Sequence, residues 1–238
     1  MQDYTFSIFG VIKEAFRRTD GVKWTFIASL LLFLLIQLTI AFTLLLIMPE
    51  VEQYLDLLLN VLTLPIAVGI IILGISRARQ KELAVKQIFD YFGRYPYLLL
   101  GYILVTLFTI LGFIALVIPG IYLAVAYTYT LPLIADKNMS VWNAMELSRK
   151  TVTKQWFRFF GLGIAIFIIV LLGAIPMGIG LIWSVPTAYI TYGLLYHRLF
   201  DDEEIEYDNN DIEEETIEEE KTVSTSPKEP MKIYPPES

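Results

Sequence analysis

Long uncharged stretches alternate with short charged segments along the first 200 residues of the chain. The longest runs from Tyr95 to Ala135, which is 41 residues without Asp, Glu, Lys or Arg. A helix needs ~20 apolar residues to cross ~30 Å of hydrocarbon, so this stretch predicts two membrane spans joined by a turn at Ile118-Pro119-Gly120. The pattern predicts a membrane hairpin whose return limb, residues 121–135, is short for a span.

The same criterion predicts an all-α, polytopic membrane helical bundle of six transmembrane helices in three hairpins. Residues 24–49 are free of charge, as are residues 57–76, where Pro65 is expected to kink the helix. Another 38 uncharged residues separate Arg158 from His197, and we expect them to turn near residues 176–180. The predicted spans are residues 24–49, 55–76, 95–118, 121–135, 157–176 and 180–199.

A charged segment with helical periodicity precedes each predicted hairpin. The three segments are residues 1–22, residues 77–94 and residues 136–154, the last with Ser140 as N-cap. Their apolar positions are Ile8, Val11, Ile12, Ala15 and Phe16; then Val85, Ile88, Phe89 and Phe92; then Val141, Met145, Ser148 and Val152. We expect amphipathic interfacial helices on the cytoplasmic side. For residues 1–22, packing of the helix against the protein itself is an alternative. Whether the three units are true internal repeats is also left open.

Charge divides the chain into two parts of opposite sign. Residues 1–200 hold 15 Lys and Arg against 10 Asp and Glu, whereas residues 201–238 hold 3 against 15. The basic residues of the first part all fall in the segments predicted to face one side, so the positive-inside rule places both termini in the cytoplasm. The second part predicts a disordered acidic cytoplasmic tail, either solvated or docked on a basic surface.

Two sets of residues are candidates for contacts outside ordinary core packing. The first set suits the headgroup layer and comprises Trp24, Arg94, Trp142, Arg149, Lys150, Trp156 and Arg158. The second consists of small residues at four-residue spacing, which let helix backbones approach closely: Gly120 with Ala124, Gly161 with Ala165, and Gly180 with Ser184 and Ala188. The small residues predict packing within the chain, with an oligomer interface as the alternative.

The residues that usually carry chemistry are sparse. The chain has no cysteine and one histidine, His197, so we expect no metal site and no cofactor, and His197 is interpreted as a headgroup-level anchor. No nucleophile elbow or phosphate-binding loop is present. Because ionisable groups lie only at the edges of the predicted spans, an ion-coupled pump is disfavoured. No basic tract stands clear of the membrane, so nucleic acid is not an expected partner.

These features favour a non-catalytic membrane scaffold or accessory subunit that engages membrane lipids, a partner membrane protein or a second copy of itself. The alternative is a transporter for an apolar or amphiphilic molecule, since hydroxyl and amide side chains such as Gln37, Asn60 and Thr63 lie in the predicted spans. A lipid-acting membrane enzyme is a third hypothesis. It requires polar residues from separate spans to converge at one membrane face.

Several short stretches resemble a broad group of prokaryotic six-span inner-membrane proteins. The resemblance covers roughly Lys81 to Phe200 and rests on Ile118-Pro119-Gly120-Ile121-Tyr122-Leu123, Pro132, Asp136, Ala144-Met145, Ser148, Gly178-Ile179-Gly180 and Tyr196-His197-Arg198-Leu199-Phe200. The group includes YciC-type proteins and the membrane domain sometimes fused to glycerophosphoryl diester phosphodiesterases. It implies a fold and a location in a prokaryotic cytoplasmic membrane, and it transfers no catalytic residue.

Overall fold

Helices account for all the regular structure of the described part of the chain, residues 6–201, in a computed structural model of the protein. Three 3-10 helices, Pro49–Tyr54, Val85–Phe89 and Phe92–Arg94, connect the α-helices. The α-helices are α1 (Ile8–Thr19), α2 (Lys23–Ile47), α3 (Leu55–Leu62), α4 (Leu64–Ala78), α5 (Tyr95–Ala115), α6 (Val117–Ala126), α7 (Thr130–Asp136), α8 (Val141–Thr153), α9 (Trp156–Ala174) and α10 (Leu181–Phe200). Apart from Asp201, the predicted acidic tail lies outside the described residues.

Within residues 6–201, four helical segments are long and apolar enough to cross a membrane. They are Lys23–Ile47, Val85–Ala115, Val117–Asp136 and Trp156–Ala174. A fifth is obtained if Glu50–Leu62 and Leu64–Ala78, which meet at an angle of 48°, form one broken span. The helical membrane architecture predicted from the sequence is therefore supported, with four or five such segments in place of the predicted six.

The helix break at Thr63 interrupts the second predicted span. Pro65 lies in the first turn of α4, where proline needs no amide donor, so the break falls just before it. The Thr63 hydroxyl donates to the carbonyl oxygen of Leu59 (2.7 Å), which gives that group at the end of α3 a partner. The kink expected from Pro65 is confirmed.

The helices α5 and α6, which lie within the third and fourth predicted spans, pack against each other, but the break between them lies earlier than the predicted turn. Leu116 alone is extended between α5 and α6, and Pro119 sits in the first turn of α6. Proline is tolerated there, so the motif Ile118-Pro119-Gly120 begins a helix and does not form the turn. The return limb reaches Asp136 through α6 and α7, with a break at residues 127–129, and is longer than the predicted 15 residues.

The second predicted amphipathic helix, in residues 77–94, is wrong. The segment forms the two short 3-10 helices because its main chain packs directly onto α4: a Cβ atom on Gly69 would lie 2.5 Å from the carbonyl oxygen of Ile88. Ile88 is fully buried by this backbone contact, whereas Phe89 and Phe92 stack on each other and stay exposed. A close approach at glycine determines this segment, and apolar periodicity does not reveal it.

The other two amphipathic helices form as predicted. Ser140 caps α8 by accepting a hydrogen bond from the Asn143 amide (3.4 Å). The positions predicted to share one side of α8 are all buried, namely Val141, Met145, Ser148 and Val152. The α1 helix likewise begins after a serine N-cap, Ser7, and buries Val11 and Ala15.

The first helix packs antiparallel along α10. Glu14 pairs with Arg198, and the hydroxyls of Thr19 and Thr187 lie 3.0 Å apart, so residue numbers rise along α1 as they fall along α10. Phe9 and Phe16 on the opposite face are 82% and 53% exposed. The α1 helix therefore packs against the protein and leaves two aromatic side chains facing outward, and its position at a membrane interface stays a prediction.

The centre of the bundle is the crossing of α4 and α10. Eleven of the 15 residues of α4 and 10 of the 20 residues of α10 are buried. The backbones touch at Gly74 and Gly193, where an added Cβ atom on either residue would overlap main-chain atoms of the other helix. Because α10 is enclosed by its neighbours, it can carry polar residues such as Ser184, Thr187 and Thr191.

The position of α10 differs from that of a lipid-facing last span. Lys23, predicted to be cytoplasmic, lies 4.8 Å above the ring of Trp183, which is in the first turn of α10. The α10 helix is also absent from the set that is apolar enough to cross a membrane. We conclude that α10 is a buried central helix and that its surroundings are protein more than lipid.

We expect substitution of Gly193 by Ala to destabilise the protein by about 1–3 kcal/mol, because the new methyl group would overpack the crossing of α4 and α10. Thermal unfolding in detergent measures this effect. Gly163→Ala is the matched control: Gly163 is helical and has nothing within 4 Å of its Cβ position, so the same change is expected to be neutral or slightly stabilising. Equal melting temperatures for the two variants would contradict the prediction.

Candidate functional site: a buried ion-pair cluster and an aromatic groove

Three helix ends meet in a buried ion-pair cluster centred on Arg79. The guanidinium donates two hydrogen bonds of 2.6 Å to the carboxylate of Asp136 and bonds of 2.6 and 2.8 Å to the carboxylate of Asp201. The side chains of these three residues are only 17%, 13% and 15% exposed. Such bidentate pairs fix the orientation of both partners, so the cluster ties α4, α7 and α10 together.

Each charged residue of the cluster lies at the end of a helix or immediately after it. Arg79 is the C-cap of α4, Asp136 is the last residue of α7, and Asp201 is the C-cap of α10. The Asp201 amide donates to the carbonyl oxygen of His197 (3.0 Å), which continues the helix to this residue. Asp201 was assigned to the tail from the sequence, so that boundary is corrected by one residue: the carboxylate is held in place by the fold.

Other side chains complete the hydrogen bonding of both carboxylates. Asp201 also accepts from Lys137 Nζ (2.9 Å) and His197 Nδ1 (2.8 Å). Asp136 accepts from the Tyr196 hydroxyl (2.9 Å). The interpretation of His197 as a headgroup anchor is therefore replaced by a role in this cluster.

The electrostatics of the cluster favour permanent charge. Hydrogen bonding to Asp136, against the opposing effect of burial, holds the pKa of Arg79 above its usual value. Burial alone would raise the pKa of Asp201, but hydrogen bonds from Arg79, Lys137 and His197 hold that pKa well below its usual value. A carboxylate fixed in its ionised form is a poor proton donor, so the cluster acts as an electrostatic clamp.

A second set of charges extends the clamp to the N-terminal helix. Glu14 pairs with Arg18 (2.7 Å) and with Arg198 of α10. Arg18 donates to the carbonyl oxygen of Ala78 (2.8 Å), and Arg77 donates to the carbonyl oxygen of Arg18 (2.9 Å). These contacts provide a donor to a carbonyl oxygen at the end of α4 and a donor to one at the end of α1, and they join α1, α4 and α10 at one place.

A groove of about 230 Å³ lies between α5, α8 and the residue that follows α6. The groove is lined by Phe108 of α5, Tyr127 after α6, and Trp142, Met145, Glu146 and Arg149 of α8. The rings of Phe108 and Tyr127 lie 6.5 Å apart. The groove combines aromatic side chains with charged groups, which is the composition of a site for an amphiphilic ligand.

Some of the predicted headgroup-layer side chains are exposed, and others form hydrogen bonds within the protein. Trp24, Trp142 and Arg149 are exposed. Arg94 donates to the side-chain oxygen of Asn138 (2.7 Å), and Arg158 donates to that of Gln155 (3.3 Å). Of this set, only Trp142 and Arg149 line a common groove.

Two further members of that set make contacts within the protein. Lys150 pairs with Glu146 at 2.8 Å. Trp156 is partly buried, stacks on Phe160 and donates to the carbonyl oxygen of Tyr122 (3.3 Å). Trp156 therefore packs against α6 as well as reaching the surface.

The small-residue predictions differ in outcome. Gly180 and Ser184 pack tightly against Gly173 of α9, and Gly120 packs against Phe113 and Gly112 within its hairpin. Gly161 contacts Ile8 of α1. Ala165 and Ala188 are half-buried, whereas Ala124 is exposed and outside the hairpin contact. The closest approaches to the main chain of another segment, at Gly69, Gly74 and Gly193, were not among the predicted positions.

The ion-pair cluster was also missed by the sequence analysis. Its partners are separated by 57 and 122 positions, so local spacing does not connect them. The available signal was the location of Arg79, Asp136 and Asp201 at the ends of uncharged stretches. Among residues 6–201, no three His, Asp or Glu side chains converge as a metal ion requires.

Comparison of the chain with protein-family models, with curated proteins and with solved structures found no match. The resemblance to YciC-type membrane proteins therefore stays a prediction. In the structure, the residues that support it have packing roles: Ser148 donates to the carbonyl oxygen of Ala126 (2.8 Å) and accepts from the Tyr129 amide (3.1 Å). Asp136 and Tyr196 belong to the ion-pair cluster.

Substitution of Arg79 by Gln is expected to destabilise the protein by about 3–5 kcal/mol, because two buried carboxylates lose their shared partner. The free energy of unfolding in detergent measures the loss. The control is Lys150→Gln, which removes an ion pair whose side chains are 63% and 42% exposed and should cost less than about 1 kcal/mol. Similar losses for both variants would show that the cluster is not a clamp.

Proposed function

We propose that the protein is a non-catalytic membrane scaffold or accessory subunit whose surface engages lipids and, through them or directly, partner membrane proteins. The carrying observation is that the buried ionisable groups of α4, α7 and α10 are mutually saturated in the Arg79 cluster. Catalytic acids and bases need an accessible lone pair or proton near their substrate. Saturated groups of this kind support a structural role.

Polar side chains along the helices support the same proposal over transport. Thr187 and Thr191 each donate to a carbonyl oxygen four residues earlier in α10, and Thr128, just after α6, donates to the carbonyl oxygen of Ala124. Asn60 likewise donates to a carbonyl oxygen four residues earlier, and Gln37 donates to the Thr63 hydroxyl (3.3 Å). The donors of these side chains are therefore occupied within the protein, which favours a packing role over a role in lining a solute path.

The outer surface of the bundle supports lipid engagement. Large apolar side chains are exposed along α2, α5 and α9, in contrast to the buried helices α4 and α10. Among them are Leu31, Leu35, Phe42, Ile103, Leu111, Ile164, Phe167 and Leu171. Patches of this extent mark contact with lipid or with another apolar surface.

The proposal includes an orientation. Both termini lie on the cytoplasmic side of a prokaryotic membrane, as the distribution of Lys and Arg predicts. Residues 77–94, which carry five of the basic residues, share that side only if the bent pair α3 and α4 crosses the membrane. Both termini then share it only if α10 crosses as well, which gives the six spans predicted from the sequence. A count of five would place the termini on opposite sides.

The function is tested by purifying the full chain in native lipid and identifying what accompanies it. We expect bound phospholipids, or a stoichiometric membrane-protein partner, together with no turnover of lipid substrates. Hydrolysis or transfer of a lipid by the purified protein, abolished by substitution of a groove residue, would contradict a non-catalytic role. Uptake of a solute by proteoliposomes would favour the transporter.

The orientation is tested by cysteine labelling, since the chain has no cysteine of its own. Lys81→Cys should resist a membrane-impermeant maleimide in intact cells and react after permeabilisation, whereas Gln53→Cys should react in both. The two positions are exposed and lie in different connections between helices. Labelling of the Lys81 position in intact cells would reverse the proposed orientation.

A further inference from the structure

The groove between α5 and α8 is lined by a cationic side chain, Arg149, that has no hydrogen bond or ion pair with a described residue. We propose that this groove binds the head group of an anionic phospholipid, with the Arg149 guanidinium on the phosphate and the rings of Phe108, Tyr127 and Trp142 around the glycerol backbone. The inference rests on the proposed function, which it deepens by naming the ligand class and the site.

Charge on α8 determines the sign of the ligand. Glu146 and Lys150 neutralise each other at 2.8 Å, and Lys150 lowers the pKa of Glu146, so that carboxylate is ionised. Arg149 makes no hydrogen bond or ion pair with any described residue, although it lines the groove beside Glu146. The three residues together leave one net positive charge, carried by a guanidinium whose planar donors match the oxygens of a phosphate.

The walls of the groove suit the layer between head groups and acyl chains. Tyr and Trp side chains have an apolar body and a polar edge, which is why they concentrate at membrane interfaces. Met145, which lines the groove, is buried, whereas Trp142 is 61% exposed and so can cover a ligand. A bound head group would therefore be held between a fixed interior and a movable ring.

The groove also opens towards a surface that can accept acyl chains. Its volume, about 230 Å³, is below the range of pockets that enclose drug-sized molecules, so the chains of a phospholipid must lie outside it. On α5, Leu107 precedes Phe108 and Leu111 follows it by one turn; they are 47% and 50% exposed. The apolar part of the ligand thus has adjoining surface on the same helix.

A zwitterionic phospholipid fits this site less well. Its ammonium group would lie near Arg149 and Lys150, and Glu146 is already paired with Lys150. An anionic head group with hydroxyls has no ammonium group. Its hydroxyls can donate hydrogen bonds to the Tyr127 hydroxyl and to the Glu146 carboxylate. We therefore expect selectivity for phosphatidylglycerol over phosphatidylcholine.

The test is lipid binding to the delipidated full chain in detergent, measured by native mass spectrometry with phosphatidylglycerol and phosphatidylcholine of the same acyl chains. Arg149→Gln should weaken phosphatidylglycerol binding about tenfold, the effect of losing a charge-assisted hydrogen bond. Arg158→Gln is the matched control, because it removes the same exposed charge outside the groove, and it should change binding less than about twofold. Unchanged melting temperatures exclude misfolding.

A second variant tests the aromatic wall. Trp142→Ala should weaken binding of both lipids about fivefold, because the ring contacts the part that the two share. Equal effects of the Arg149 and Arg158 substitutions would overturn the proposal, as would competition by millimolar inorganic phosphate, which would indicate a site for the free anion.

The chain's own acidic tail is the other anionic occupant to consider. In the full chain, substitution of Glu213, Glu214 and Glu215 by Gln should leave the Arg149 effect in place. If the Arg149→Gln effect disappears in the chain with the neutralised tail, that effect depends on the tail and the lipid proposal is wrong. Failure of the site alone would leave membrane embedding and the absence of turnover intact, so the proposed function is judged separately.

Discussion

The bidentate contacts of Arg79 with Asp136 and Asp201 are the constraint on which the arrangement of the helices depends. One guanidinium joins the ends of α4, α7 and α10, which are far apart in the sequence. Because the ends of α4 and α10 are fixed by this contact, their crossing point is fixed as well, and it falls at Gly74 and Gly193, where two backbones can touch. The ion pairs of Arg79 and the glycine contacts therefore fix the same crossing of α4 and α10.

This arrangement of the helices around the crossing of α4 and α10 explains the distribution of apolar residues in the bundle. The central helix α10 buries the hydroxyl groups of Ser184, Thr187 and Thr191 among apolar residues, and the residues buried in α4 are apolar, while α2, α5 and α9 direct large apolar side chains outward. Lipid demands apolar surface only from the helices that face it, and enclosed helices can satisfy hydroxyl groups through neighbouring backbone. The more polar α10 is for this reason at the centre.

Much of the fold could be predicted from the sequence because length without charge is a strong signal for membrane helices. The helical class, the amphipathic character of α1 and α8, the Ser140 cap and the break near Pro65 follow from local patterns. The route of residues 77–94 and the place of α10 could not be predicted, because both depend on close contacts at Gly69, Gly74 and Gly193 with partners remote in sequence. Of the candidate site, Trp142 and Arg149 were identified individually, but Phe108 and Tyr127 had no distinguishing pattern, and only the fold brings the four together.

The central place of α10 has a consequence for how the protein is made. The helix is synthesised after every element it touches, and on its own it is too polar to enter lipid readily, so it must be received by helices that are already in place. Until Asp201 arrives, Arg79 has Asp136 alone as its carboxylate partner, and the faces of α1 and α4 that contact α10 are uncovered. Assembly thus ends with the central helix α10. A chain interrupted before α10 exposes the charged residues that this helix would cover to the quality-control machinery of the cell.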